Sequence, residues 1–259
     1  MLLLCDVGNT TTVVGLMEDN TVLRRWRVST DRERTADESR LLLRAMLAEQ
    51  HGTVDGGALS SVVPPRTVAW KEAMSAVVDG PVIVVGPGVK TGIALQVDNP
   101  REVGADRVVN AIGAVSVLGA PVVVVDFGTA TTVDLVGGDG SYRGGAIAPG
   151  LEVSADALVT HTAALRRVEL IAPRSPVGRS TVEAIQSGLI YGYAGLVDGL
   201  VGRILATLDA PCPVVATGGL AEVLKEHTRT ITHLEVDLTL LGLAVVYERN
   251  QPERPGTGS

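Results

Sequence analysis

Acidic residues set next to glycine and clustered hydroxyls occur twice in this chain, in a pattern that suits the handling of phosphate. Residues 2–20, LLLCDVGNTTTVVGLMEDN, lie over residues 122–140, VVVVDFGTATTVDLVGGDG, at a constant offset of 120 and without a gap. Asp6, Gly8, Thr11, Thr12, Val13 and Asp19 meet Asp126, Gly128, Thr131, Thr132, Val133 and Asp139. A glycine two residues after the aspartate lets the backbone turn at the end of a buried strand, which leaves N–H groups exposed. Asn9, Thr10, Thr11 and Thr12 add side-chain donors, and a concave set of donors is a phosphate cradle. A carboxylate beside phosphate would repel it, so Asp6 and Asp126 are expected to act through a bound cation or its waters. A third acidic position, Asp106 in the stretch GADRVVNAIGAVSVL (104–118), precedes Arg107 at the start of a predicted helix. There it could accept a proton, or simply favour the helix dipole.

The elements that must carry these residues follow from the hydrophobic pattern. Each copy reads as strand, tight turn and strand. Thr21–Thr30 supplies a third strand, and 121–126, 131–136 and 142–148 repeat the plan. Arg32–Arg34 and Asp37–Glu38 are expected to lead into a helix ending near His51, and further helices are expected over Val68–Val78, 104–118, 151–166, Thr181–Leu208 and Leu238–Arg249. Strands are expected at Ala58–Val63, where Pro64-Pro65 stops the run, and at Pro81–Val85, Pro213–Ala216 and Ile231–Leu234. Three antiparallel strands followed by alternating helices and strands, stated twice, predict an α/β protein of two similar lobes. The halves are expected at 1–118 and 119–250, with phosphate loops from each facing one cleft and a disordered polar tail at 251–259.

Composition narrows the function. The 259 residues are 46% hydrophobic but only 3% aromatic, so the core must be built from aliphatic side chains. A net charge of −7 and a pI near 5.1 argue against a nucleic-acid or polybasic membrane surface, so an anionic ligand must be held by local donors. Cys5 and Cys212 sit in or beside apolar runs and read as reduced core residues, and the four histidines show no ligand spacing. No basic leader or long apolar segment opens the chain, which predicts a cytoplasmic protein with no membrane role. Gly86-Pro-Gly-Val-Lys-Thr-Gly92 follows a strand, but its glycines are off register for a dinucleotide fingerprint and Lys90 follows Val89, not Gly, so a turn is expected.

The paired Asp-x-Gly loops resemble those of the acetate and sugar kinase, heat-shock ATPase and actin superfamily. Within it the chain resembles the type III pantothenate kinases from about residue 2 to residue 249. The resembling stretches are Asp6-Val-Gly-Asn-Thr10, Ser60-Ser-Val-Val-Pro64, Gly86–Gly92, Asp98-Asn-Pro100, Gly104-Ala-Asp-Arg107 and Asp126-Phe-Gly-Thr-Ala-Thr-Thr132. They continue with Gly144-Gly-Ala-Ile-Ala-Pro-Gly150, Ser180–Gly188 and Thr217-Gly-Gly219. The resemblance implies two lobes of ribonuclease-H-like, actin-like ATPase fold with an active-site cleft between them. It also implies ATP-dependent phosphorylation of pantothenate, with Mg2+ and a monovalent cation, K+ or NH4+, in a homodimer.

By position, the family pattern implies that Asp6, Val7, Gly8, Asn9, Thr10, Thr11, Thr12, Val13 and Thr129 contact ATP. Asp106 would be the base, and Val97, Gly104, Ala105, Asp106, Arg107 and Thr181 would surround pantothenate, with Asp126 on the monovalent cation. Two positions depart from the pattern: Val97 stands where an aromatic, usually Tyr, is common, and Ser180 where many members carry Asn. Two other readings remain open at this point, a regulatory nucleotide-binding relative and a related kinase of another small hydroxylated substrate.

Overall fold

The structure is a computed structural model that describes residues 1–162 and 165–251. Its described residues form two five-stranded sheets. The first contains β1 (Leu2–Val7), β2 (Thr11–Glu18), β3 (Thr21–Ser29), β4 (Gly56–Ser61) and β5 (Val82–Val84), in the order β3-β2-β1-β4-β5. The second contains β6 (Val122–Phe127), β7 (Ala130–Val136), β8 (Tyr142–Pro149), β9 (Val214–Thr217) and β10 (His233–Leu234), in the order β10-β9-β6-β7-β8. In each sheet the first three strands pair antiparallel and the last two are added parallel. The expected α/β duplication of three antiparallel strands plus crossovers is therefore present in both halves.

Helices α1 (Ala36–Leu47), α2 (Pro64–Ser75) and α3 (Ala105–Leu118) follow the first set of strands. Helices α4 (Leu151–Thr160), α5 (Thr181–Leu205), α6 (Ala221–Lys225) and α7 (Leu238–Arg249) accompany or follow the second. α1 opens on a reciprocal cap, with the Glu38 N–H donating to Thr35 Oγ1 at 3.2 Å and the Thr35 N–H donating to Glu38 Oε2 at 2.7 Å. Pro64 and Pro65 occupy the first turn of α2, not a strand end as expected, because a helix start needs no N–H from either and suits their fixed φ. α4 ends at Thr160, short of the expected 166, with residues 163–164 outside the described residues. α1 likewise stops at Leu47, before His51. The tail expected at 251–259 falls, from residue 252 onward, outside the described residues.

Two compact units emerge, and they are not contiguous in sequence. The first comprises Met1–Ile93, Asn99–Ser116 and the C-terminal segment from Asp237; the second comprises Ala94–Asp98 and Val117–Val236. The expected division after residue 118 assigned α7 to the second half, whereas α7 packs on the first sheet. A Cβ on Gly15 of β2 would lie 2.6 Å from Leu240 Cδ1, and one on Gly56 of β4 would meet the Tyr247 ring. Leu3, Cys5, Val7, Val14, Leu16, Leu59, Trp70 and Met74 form the first core, and Val123, Val125, Phe127, Val133, Leu151, Ile190 and Val197 the second. Apart from Trp70 and Phe127 these side chains are not aromatic, which agrees with the composition.

The gap-free match between the two halves breaks by one residue in three dimensions. Val7 faces Thr12 across the first hairpin, leaving residues 8–11 in the turn, which the Gly8 N–H closes on the Thr11 carbonyl at 3.0 Å. Phe127 faces Thr131 across the second, leaving only residues 128–130, closed by the Gly128 N–H on the Ala130 carbonyl at 3.1 Å. A bulge falls after Leu16 in β2 and after Leu135 in β7, so those strands correspond at an offset of 119. Thr12 therefore corresponds to Thr131, and the two are 0% and 1% exposed. The deletion stays invisible in sequence because both loops contain adjacent threonines.

Candidate active site

Asp6 is the penultimate residue of β1, with Val13 opposite it on β2 and Ser60 opposite it on β4. The Ser60 hydroxyl donates to Asp6 Oδ1 at 2.5 Å. Burial of the carboxyl pushes the Asp6 pKa up to about 7; the Ser60 hydrogen bond opposes that rise and the negative charge of Asp106 adds to it. A carboxylate held at such cost is one whose charge a bound cation would relieve. Beyond it, the Thr30 N–H donates to the Thr10 carbonyl at 2.8 Å, and the Thr12 and Thr30 hydroxyls lie 2.8 Å apart. The first loop is thus fastened to the end of β3 while Asn9, Thr10 and Thr11 stay exposed or nearly so.

Asp106 lies in the first turn of α3, half-buried, and its Oδ1 accepts the Arg107 N–H at 2.8 Å. Gly104 stands against it: a Cβ there would lie 2.4 Å from Asp106 Oδ1 and 3.6 Å from Val62 Cγ1. The position of α3 is set by α7. A Cβ on Gly113 would be 2.3 Å from the Leu238 carbonyl and one on Gly242 would be 2.0 Å from that of Val109, so the two helices touch backbone to backbone. Thr239 Oγ1 donates to the buried Asn110 Oδ1 at 2.6 Å. In the first unit, then, the structure brings Asp6 and Gly104–Arg107 into one electrostatic neighbourhood, with Ala105 at the helix start.

The second unit holds the matching carboxylate. Asp126 faces Thr132 on β7 and Thr217 on β9. Gly218, at φ +94°, passes so close that a Cβ would lie 2.5 Å from Asp126 Oδ1 and 2.7 Å from the Phe127 nitrogen. Only a residue free to adopt the left-handed region and lacking a side chain fits there. Thr131 and Thr132 Oγ1 are buried without a hydrogen-bond partner; Thr132 lies across the hairpin from Asp126, and Thr131 across from Phe127 on the other face of the sheet. The Thr129 carbonyl ties this turn to the start of α4 by accepting the Gly150 N–H at 3.0 Å. The orphaned Thr132 hydroxyl and the Asp126 carboxylate, on the same face of the sheet, offer oxygens suited to a cation or a polar ligand.

Val97 and Thr181 also belong to this unit. Val97 sits on a segment beside β8, where a Cβ on Gly144 would lie 3.5 Å from Val97 Cγ1. Thr181 is the first residue of α5, exposed, and follows Ser180, whose Oγ accepts the Glu183 N–H at 3.2 Å. Ser in place of Asn keeps an N-cap, since both side chains supply that acceptor. Gly86–Gly92 is a turn, as expected, with the Lys90 N–H donating to Asn250 Oδ1 at 3.1 Å and Asn250 Nδ2 returning to the Lys90 carbonyl at 3.0 Å. Sequence reasoning placed Ser60 in a resembling stretch but gave it no role at the site, although its place at the end of an apolar run could have suggested one.

Strand order, the repeated Asp-x-Gly hairpins and the paired carboxylates define the actin-like ATPase and sugar kinase fold. The chain superimposes on the activator of 2-hydroxyisocaproyl-CoA dehydratase from Clostridium difficile with bound ADPNP (TM-score 0.57, 14% identity, 96% of this chain and 95% of that one). It also superimposes on a ROK family glucokinase from Streptomyces griseus in complex with glucose and AMPPNP (TM-score 0.50, 14% identity, 93% and 98%).

The type III pantothenate kinase family pattern matches residues 2–203. A type III pantothenate kinase of Frankia casuarinae is 49% identical over 251 residues, covering 96% of this chain and 100% of that one. The chain belongs to the type III pantothenate kinase family.

Proposed function

We propose that the chain transfers the γ-phosphoryl group of ATP to the primary hydroxyl of pantothenate, the first step towards coenzyme A. Family membership supports the reading, and the observation that carries it is Asp106, a half-buried carboxylate at the start of α3 within electrostatic reach of the Asp6 loop. Phosphoryl transfer passes through a loose transition state, so positioning and charge neutralisation account for most of the catalysis. On this reading the loop Asp6–Val13 and Thr129 hold ATP. Asp106 accepts the hydroxyl proton as the new bond forms. Arg107 offers its guanidinium to the pantothenate carboxylate, while Gly104, Ala105, Val97 and Thr181 shape the acceptor's surroundings.

The residues present fit the cations that the family implies. Asp6, whose buried charge is strained, would hold Mg2+ with the ATP phosphates, and Asp126 with the orphaned Thr132 hydroxyl opposite it would hold K+ or NH4+. Such ions supply neutralisation of the phosphate charge. Asp126→Ala is expected to abolish activation by K+, as read from ADP release in K+ and Na+ buffers; unchanged K+ dependence would remove that role.

We further propose a cytoplasmic homodimer. α5 is the one described helix long and apolar enough to cross a membrane by length and composition, and 28% of its apolar window is buried. Its inward stripe of Leu189, Ile190, Tyr193, Val197 and Val201 is core, while Gly188, Gly192, Gly195 and Gly202 are exposed and would let a second copy approach closely.

ADP release with ATP and Mg2+, measured with and without pantothenate, tests the function. Pantothenate-dependent release supports the kinase, whereas ATP binding without such release would favour a regulatory relative.

A further inference from the structure

Ala94–Asp98, which carries Val97, is fixed to the second sheet through one residue of β8. The Tyr142 N–H donates to the Ala94 carbonyl at 2.8 Å, the Gln96 N–H donates to the Tyr142 carbonyl at 2.9 Å, and Leu95 and Tyr142 form an isolated parallel bridge. Gln96 Nε2 adds a longer contact to Asp139 Oδ2 at 3.3 Å. Tyr142 is itself anchored at the other end. Its phenol donates to Asp134 Oδ1 at 2.7 Å, and both side chains are buried, at 0% and 1% exposure.

The fold does not require this pair. With β2 and β7 in correspondence at 119 and β3 and β8 at 120, Asp134 takes the place of Gly15 and Tyr142 that of Val22. The first sheet makes the same bulge with those two residues, and Gly15 leaves room for Leu240 of α7. A buried carboxylate is costly unless it is hydrogen-bonded. Its presence in the one sheet whose edge receives Ala94–Asp98 ties it to that segment. The bulge at Arg143–Gly144, with Gly144 at φ +95°, turns the chain at the point where Tyr142 meets Ala94 and Gly144 meets Val97.

The geometry points to Asp134 and Tyr142 as positioning residues for the acceptor substrate: the carboxylate fixes the phenol, Tyr142 fixes Ala94 and Gln96 through its backbone, and Val97 is thereby set in place. This rests on the proposed reading of Val97 as part of the pantothenate surroundings. The pair touches neither substrate, so its loss should appear in KM for pantothenate and not in kcat at saturation.

Steady-state kinetics on full-length Tyr142→Phe, Asp134→Asn and Val97→Asp, with amide hydrogen exchange at Gln96, form the test. Tyr142→Phe should raise KM for pantothenate by about three- to tenfold, the weight of one hydrogen bond, with kcat and KM for ATP unchanged and faster exchange at the Gln96 amide. Asp134→Asn keeps an oxygen that can accept from the phenol and should show a smaller rise. Val97→Asp should raise KM for pantothenate on its own account. A raised value in Val97→Asp with an unchanged one in Tyr142→Phe overturns the inference and leaves the substrate reading standing. An unchanged value in Val97→Asp removes the substrate reading, and the inference with it. Equal rises in KM for pantothenate and ATP in Tyr142→Phe also overturn it, because they mark a merely structural role.

Discussion

The two sheets share strand order, hairpin and bulge, yet their equivalent positions have diverged in chemistry. Asp6 takes a hydroxyl hydrogen bond from Ser60, while Asp126 lies against the backbone of Gly218 with Thr217 opposite. Gly15 makes room for a helix from the far end of the chain, while its counterpart Asp134 holds Tyr142. What both halves keep, the aspartate at a strand end and the tight turn after it, belongs to the scaffold and, on the proposed function, to phosphate handling as well. On the proposed function, what only one half has, Asp106 on α3 or Tyr142 on β8, is the specialisation for the acceptor.

That division of labour can be broken most forcefully at the acceptor side. Asp106→Asn should lower turnover by about 10²–10⁴ while ATP still binds, as measured by steady-state ADP release and nucleotide titration. Near-normal turnover would remove Asp106 as the base. The first loop comes next. The raised pKa of Asp6 means that the folded protein binds its proton more tightly than the unfolded chain, so its charge costs stability increasingly as pH rises from 3.8 to about 7. Asp6→Asn should therefore stabilise the ligand-free protein above pH 7, by at most about 4 kcal/mol for a shift of this size, and should do nothing below the ordinary aspartate pKa. Chemical denaturation across pH reads this out.

In the second loop, Gly218→Ala should cost about 1–3 kcal/mol, since a Cβ there meets both a left-handed backbone and the Asp126 carboxylate. Gly128→Ala, whose nearest contact would be 3.5 Å, should cost clearly less in the same denaturation experiment. The smallest effect belongs to Ser180→Asn, which exchanges one N-cap for another and should change stability by less than about 0.5 kcal/mol.

Much of this was legible in the sequence because it rests on local rules. Apolar runs ending in Asp-x-Gly located β1, β2, β6 and β7, and the bounds of α7 follow directly from its apolar pattern over Leu238–Arg249. Asp6 and Asp106 could be singled out by residue type and place, and the structure brings their charges together. What escaped depends on tertiary context. Pro64-Pro65 carries the same local signal whether it ends a strand or opens a helix. The one-residue shortening of the second turn hides behind repeated threonines. The return of α7 to the first sheet is decided by Gly15, Gly56, Gly113 and Gly242, whose lack of side chains says nothing about partners 100 or more residues away. Asp134 and Tyr142 carry no spacing signal, because their pairing depends on the bulge between them.

The most direct test of the central claim is the mass of pantothenate after incubation with the protein, ATP, Mg2+ and K+. The account predicts a gain of one phosphoryl group, matched by an equal amount of ADP and formed about 10²–10⁴ times more slowly with Asp106→Asn. Unmodified pantothenate in the presence of bound ATP would contradict it.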